Sequence, residues 1–221
     1  MTSSHSKRHL FCLAGGAILL LMLLSRTCSV LYSTAATDIL YAETVLPDVL
    51  TYLRQIFSSA SFGVGLAFVA AAFSFGKKDA VGAACIHGGI LLLDAAASFI
   101  IDAVSGAVSA ALLPLAAILN GGSWLYSALL LLIAFAMIRR TQKKEQPVSR
   151  GLLAGSLTWF AGRMLLQLFY ILSFLIEVEF QPYAKEIVQM LGEILQVLFQ
   201  GGIVWLSAAG SHFLFRRICG K

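Results

Sequence analysis

Charge is what this sequence has least of. Asp, Glu, Lys and Arg make up 12 % of its 221 residues, against about 25 % in an ordinary soluble domain. Apolar residues reach 59 %, above the roughly 45–50 % of soluble proteins. A globule of this size with so few charges cannot keep its surface in water. A soluble enzyme and a disordered regulator are therefore excluded. Cysteine is also sparse. Cys12, Cys28, Cys85 and Cys219 show no C-x-x-C or metal-ligand spacing, which excludes a disulfide scaffold. Three of the four lie in or beside apolar segments, where a reduced thiol acts as a small hydrophobe.

Catalytic motifs are missing as well. There is no G-x-x-x-x-G-K-[ST], and Gly76-Lys77-Lys78 lacks the upstream glycine. There is no H-E-x-x-H. Ser156 and His212 could lie level in a membrane, but nothing in the sequence supplies oxyanion donors or an activating partner for them. The longest basic loop, Arg139–Arg150, is too short for a catalytic domain. The expectation is a protein that is not an enzyme, holds no cofactor or metal, and binds no nucleic acid.

What the chain does have is long apolar runs. A bilayer core of ~30 Å takes about 20 helical residues. Leu10–Leu24, Ile56–Phe75, Ala80–Ile101, Leu112–Ile138, Gly151–Ile176 and Ile187–Phe215 are the candidate spans. Pro114 and Gly121-Gly122 should bend the fourth. The fold class is all-α: a polytopic membrane helix bundle of six spans, or five if the first is a cleaved signal peptide. Twelve of the 16 Lys and Arg residues fall at the termini and in the loops after spans two and four. Asp38, Glu43, Asp48, Asp102, Glu177, Glu179 and Glu186 fall in the opposite loops. By the positive-inside rule both termini are cytoplasmic, and the expected location is the bacterial inner membrane.

The chain divides into 1–35 (cytoplasmic N-terminus and first span), 36–55 (external interfacial segment), 56–105 (a helical hairpin), 106–176 (a second hairpin) and 177–221 (external loop, span six, basic tail). Ser33-Thr34-Ala35-Ala36 is a passable cleavage site after the first run, but the stretch from Arg26 to Tyr32 is long for a signal's tail. Ile39, Leu40, Val45, Leu46, Val49, Leu50 and Leu53 suit a helix lying in the interface.

Small residues repeat in span two as Ser59, Gly63, Ala67 and Ala71, and in span three as Ala80, Ala84 and Gly88. Such rows let backbones approach where lipid gives no hydrophobic drive. They would close spans two and three as a tight hairpin, or offer a docking face to another subunit.

Three spans each carry a polar stripe. Span three has His87, Asp94, Ser98 and Ser105. Span five has Arg163, Gln167, Tyr170 and Glu177. Span six has Gln189, Glu193, Gln196, Gln200, Ser207 and Ser211. Spacings of 3, 4 and 7 put each set on one helix face. A charge at mid-bilayer costs roughly 2.5–3.5 kcal/mol on insertion scales, so such groups face inward and find partners. Aligning Gly82 with Gly151 places Asp94 on Arg163, both near mid-bilayer. The stripes therefore predict either a structural Asp94–Arg163 ion pair, a polar path with Asp94 as the titrating group and His87 as relay, or a groove that receives another protein.

Within Val45–Val104 the order is an apolar span, Phe75-Gly76-Lys77-Lys78, Val81-Gly82-Ala83-Ala84, Gly88-Gly89-Ile90-Leu91-Leu92, then Ala95-Ala96-Ala97-Ser98-Phe99. This stretch resembles the pilin-type and small inner-membrane proteins of conjugative and type IV secretion systems. The second hairpin, with Ser149-Arg150-Gly151-Leu152-Leu153-Ala154-Gly155, is similar to Dot/Icm-type inner-membrane components. The resemblance implies a non-enzymatic membrane subunit of a larger secretion or conjugation assembly, with the lipid bilayer and other membrane subunits as partners. The alternative is a small-solute or ion transporter, or the substrate-binding membrane subunit of one.

Overall fold

Backbone N–H and C=O groups cannot be left bare in lipid, so apolar runs of this length must bond internally, and helices do. The computed structural model describes residues 2–37, 45–104, 109–144, 147–177 and 184–218. They form α1 (Thr2–Thr37), α2 (Leu46–Ala72), α3 (Lys77–Val104), α4 (Leu113–Lys143), α5 (Val148–Glu177) and α6 (Ala184–Ile218), with a short 3-10 turn at Ala110–Leu112. The described chain is all-helical, and all six helices are long and apolar enough to cross a membrane. It is a membrane helix bundle.

Local chemistry sets the helix ends. Pro114 lies in the first turn of α4, where its missing N–H costs nothing. It starts the helix instead of bending it, and Gly121 and Gly122 sit inside the same continuous helix. Asp48 and Asp79 occupy first turns, while Arg140, Lys143, Arg216 and Arg217 occupy last turns, complementing the helix dipoles. Gly76 has φ +139°, a conformation open to glycine, and it makes the turn from α2 to α3.

Two segments differ from the sequence expectation. α1 does not stop at Leu24 but runs unbroken to Thr37, so Arg26 to Tyr32 are helical. Residues 46–55 are not a separate interfacial helix; they are the first turns of α2. Residues 38–44 of that segment lie outside the described residues.

α2 is the central helix. It touches all five others, and 72 % of its most apolar stretch is buried, against 6 % for α3. Ser6 Oγ donates to the Ile218 carbonyl at 3.0 Å, and Lys7 pairs with Asp79. The start of α1, the end of α6 and the α2–α3 turn therefore share one end of the bundle, the basic end. Near it, Leu10, Ala14 and Ile18 of α1 pack with Ala67, Phe68 and Ala71 of α2, Ala80 and Ala83 of α3, and Phe215 of α6. A second core joins Phe62, Leu66 and Ala70 of α2 to α4, α5 and α6 through Leu130, Ala134, Leu152, Trp159, Val204 and Ala208.

The small-residue rows serve other neighbours than expected. Ser59, Gly63, Ala67 and Ala71 are all buried. A Cβ added at Gly63 would run into Ser207 Oγ and the Val204 carbonyl, so the closest backbone approach of this row is to α6, not α3. In α3, Ala80 joins the first core, while the Gly88 carbonyl accepts from Trp124 Nε1 of α4 at 3.2 Å. α2 and α3 instead meet closely at Gly65, against the His87 ring.

Candidate functional site

All six helices contribute to one cavity of ≈330 Å³. α1 supplies Met22, Ser25, Arg26 and Ser29. α2 supplies Arg54, Gln55, Ser58, Ser59 and Phe62. α3 supplies Leu91, Asp94, Ala95 and Ser98. α4 supplies Asn120, Ser123, Trp124, Tyr126, Ser127 and Leu130. α5 gives Trp159 and Arg163, and α6 gives Gln200. These positions lie in the half of the bundle away from the basic end. At 1.5 Å per residue, Asp94 is ~26 Å along α3 from Lys77, and Arg163 is ~22 Å along α5 from Val148. Phe62, Leu130 and Trp159 form the floor and belong to the second core. The cavity is thus sealed towards the basic end by packed apolar side chains.

Inside the cavity Arg26 holds Asp94. Arg26 Nη2 donates to Asp94 Oδ1 at 2.6 Å and to the Asp94 carbonyl at 3.0 Å, and Nε donates to Oδ1 at 3.2 Å. Arg26 Nη2 also contacts Ser98 Oγ. Ser98 Oγ in turn donates to the Asp94 carbonyl at 2.9 Å. This corrects the sequence-derived pairing. The partner of Asp94 is Arg26 of α1, not Arg163. Arg163 lines the same cavity but lies over the Trp159 ring, 5.7 Å from its centroid. Among the described residues neither Arg163 nor Arg54 has a carboxylate partner.

The three expected stripes do not face each other as one set. Asp94, Ser98, Arg163 and Gln200 meet in the cavity. Gln167 of α5 bonds Glu193 of α6, a separate contact between these two helices. Gln196 of α6 does not line the cavity. His87 lies outside it too. It is 0 % exposed, its ring is edge-on to Phe62 at 5.4 Å, and neither ring nitrogen has a partner among the described residues. The side chain of Tyr170 lies outside the described residues.

Sequence reasoning missed Arg26, Arg54 and the hydroxyl-rich faces of α1, α2 and α4. The spacing Asn120, Ser123, Ser127 was a signal for the last of these, since 3 and 4 put them on one helix face. Ser156 is buried and its hydroxyl donates to the Leu152 carbonyl at 2.9 Å, a backbone bond within α5. Among the described residues no three His, Cys, Asp or Glu side chains converge as a metal would need.

A second cavity, ≈520 Å³, opens at the basic end among Ser74, Gln142, Ser149, His212 and Arg216. Leu66, Leu152, Val204 and Ala208 belong to the core packed in the middle of the bundle.

Comparison with protein-family models, with curated proteins and with solved structures finds no match.

Proposed function

We propose that the chain is a membrane-embedded binding or transport subunit that takes a small polar solute into the six-helix cavity. The observation that carries this reading is a polar chamber at bilayer depth, built from every helix and closed towards one end by apolar packing. Polar groups are costly in lipid and usually mark ligand or ion paths. Its volume falls in the usual range for small-molecule sites, about 300–1,000 Å³. It is read as a binding chamber and not an active site. Its polar groups are arginines, hydroxyls and amides, and its carboxylate is already held by Arg26. The positive-inside rule supports a cytoplasmic basic end, and with it a cavity that opens outward.

A subunit of a secretion or conjugation assembly is the second reading. The layout around Phe75-Gly76-Lys77-Lys78 supports it. It ranks second because the small-residue row that could have docked another subunit is spent inside the bundle.

The test is cysteine labelling in a background with the native cysteines replaced. Ser58→Cys and Ser127→Cys should react with an impermeant thiol reagent added from outside, and a small solute should protect them. Unreactive cavity positions, or reactivity that no solute reduces, would overturn the binding reading. Recovery from mild detergent in a stoichiometric large complex would then favour the second.

A further inference from the structure

Few basic residues lie away from the basic end, and most of those that do gather in one place. Only Arg26, Arg54, Arg163 and Lys185 lie outside the basic end. Three of these four line the six-helix cavity. Among the described residues the cavity sets a single carboxylate against them, Asp94, and Arg26 already neutralises it. Arg54 and Arg163 are left without a carboxylate among the described residues.

Arg54 is exposed and Arg163 half-buried, and a guanidinium at the depth of Arg163 is expensive unless it meets a counter-charge. Arg163 lowers that cost in part through its cation–π contact with Trp159. This contact is not a hydrogen bond, so it leaves the guanidinium N–H donors to meet an acceptor. Around it are further neutral groups. Tyr126 Oη is buried and has no partner among the described residues. Ser59, Ser123, Ser127 and Asn120 line the same walls. A cation entering here would meet an excess of positive charge. An oxyanion would meet two guanidinium groups and hydroxyl groups from Ser59, Ser123, Ser127 and Tyr126, while the Asn120 amide already donates to the Ala116 carbonyl at 3.0 Å. The planar fork of arginine matches the two oxygens of a carboxylate or phosphate.

We infer that the ligand of the cavity is a small oxyanion, carried on a carboxylate or phosphate group, with Arg163 as its principal charge partner and Arg54 as the second. This rests on the binding reading above. The pair Arg26–Asp94 then acts as a neutral wall and positions Ser98, and it does not bind the cargo. The oxyanion could come from a soluble solute or from an anionic lipid headgroup, since the recognised chemistry is the same.

The experiment uses the full chain in detergent at constant ionic strength. Succinate, inorganic phosphate, neutral succinamide and cationic putrescine are compared. Two readouts are taken: thermal melting and protection of Ser127→Cys from labelling. Succinate or phosphate should raise the melting temperature saturably and protect the cysteine, while succinamide and putrescine should not. Arg163→Gln should weaken that effect about tenfold or more, and Arg54→Gln by less. Arg163→Lys should retain part of it, and its unliganded melting curve reports whether the fold is intact. In a second arm the chain is placed in nanodiscs of phosphatidylcholine or phosphatidylglycerol. Protection by phosphatidylglycerol alone, lost in Arg163→Gln, would support the oxyanion and assign it to a lipid. Protection by succinamide or putrescine instead would overturn the oxyanion inference and leave the binding reading standing. An oxyanion effect unchanged in Arg163→Gln would also overturn it. Protection by none of the solutes and neither lipid would remove both.

Discussion

Arg26 and Asp94 are joined by two hydrogen bonds to one carboxylate oxygen, at 2.6 and 3.2 Å, linking α1 to α3 across the wall of the cavity. The side chains are 25 % and 33 % exposed, so the pair is partly wetted by the chamber it lines. Breaking a fully buried pair costs about 3–5 kcal/mol, because a lone charge is left behind. Solvent in the cavity discounts that. We expect Arg26→Gln and Asp94→Asn each to lower stability by about 1–3 kcal/mol. The double variant should recover part of the loss. Asp94→Asn with Arg163→Gln should be additive. Melting or abundance of the parent, the three single variants (Arg163→Gln included) and the two double variants checks this, and recovery by Arg163→Gln in place of Arg26→Gln would overturn the assignment.

The same contact bears on processing. Leu10, Ala14 and Ile18 are fully buried in the first core, and Arg26 holds Asp94. Cleavage near Ser33–Ala36 would remove both and expose the flank of α2. The expected mass of the protein purified from membranes therefore includes α1. A chain beginning after residue 33 would contradict this.

The spans were legible because length and apolarity are properties of each segment alone. The dipole-matched charges at helix ends are local too. Depth was also partly legible, since Asp94 and Arg163, placed level by their distance from Gly82 and Gly151, do line one cavity. What the sequence could not show was rotation and neighbourhood. Arg26 follows the run Leu10–Leu24 and reads as a flank of a short apolar segment. Only the continuation of α1 to Thr37 carries it into the bundle beside Asp94. Gly63 likewise sits in a row that marks close approach, but the identity of the approaching helix, α6, depends on which of five neighbours lies on that side of α2.

Glycine substitutions separate these packing faces. Gly63→Ala places a methyl group against Ser207 Oγ and the Val204 carbonyl of α6, and the backbone atom cannot swing aside. A loss of about 1–3 kcal/mol is expected, as for overpacked cores, with Gly63→Leu worse. Gly122 has no atom within 4 Å of the added methyl, so Gly122→Ala should be tolerated. Equal melting curves for Gly63→Ala and Gly122→Ala would mean that α2 and α6 do not meet there.

Orientation is tested independently of the cavity. In a background with the native cysteines replaced, cysteines at Lys78, Lys143 and Lys221 should be protected from an impermeant reagent in intact cells. Those at Asp48, Asp102 and Glu179 should react. The expectation rests on the clustering of twelve of 16 basic residues at one end. Reaction at position 143 in intact cells would reverse the assigned sides of the bundle.

His87 gives the sharpest test of packing near the cavity floor. Its ring lies where a side chain on Gly65 would be, so the glycine is required by the histidine and not by the turn or the helix. Gly65→Ala should therefore destabilise the bundle. His87→Ala alone leaves a void beside Phe62, at a cost of the order of 2–5 kcal/mol for a large side chain, offset in part by the loss of its two unpaired nitrogens. In the double variant the new methyl enters the space the ring vacated, so the two losses should sum to more than the combined effect. His87→Met discriminates structure from chemistry. It keeps flexible bulk and removes two buried nitrogens that have no partner among the described residues. Leaving such groups unpaired costs about 1–3 kcal/mol each, so His87→Met should be as stable as the parent or more so. If His87 relays protons as the sequence stripe suggested, His87→Met would fold normally and lose any proton-linked uptake. Additive losses for Gly65→Ala and His87→Ala would show that the ring does not occupy that space.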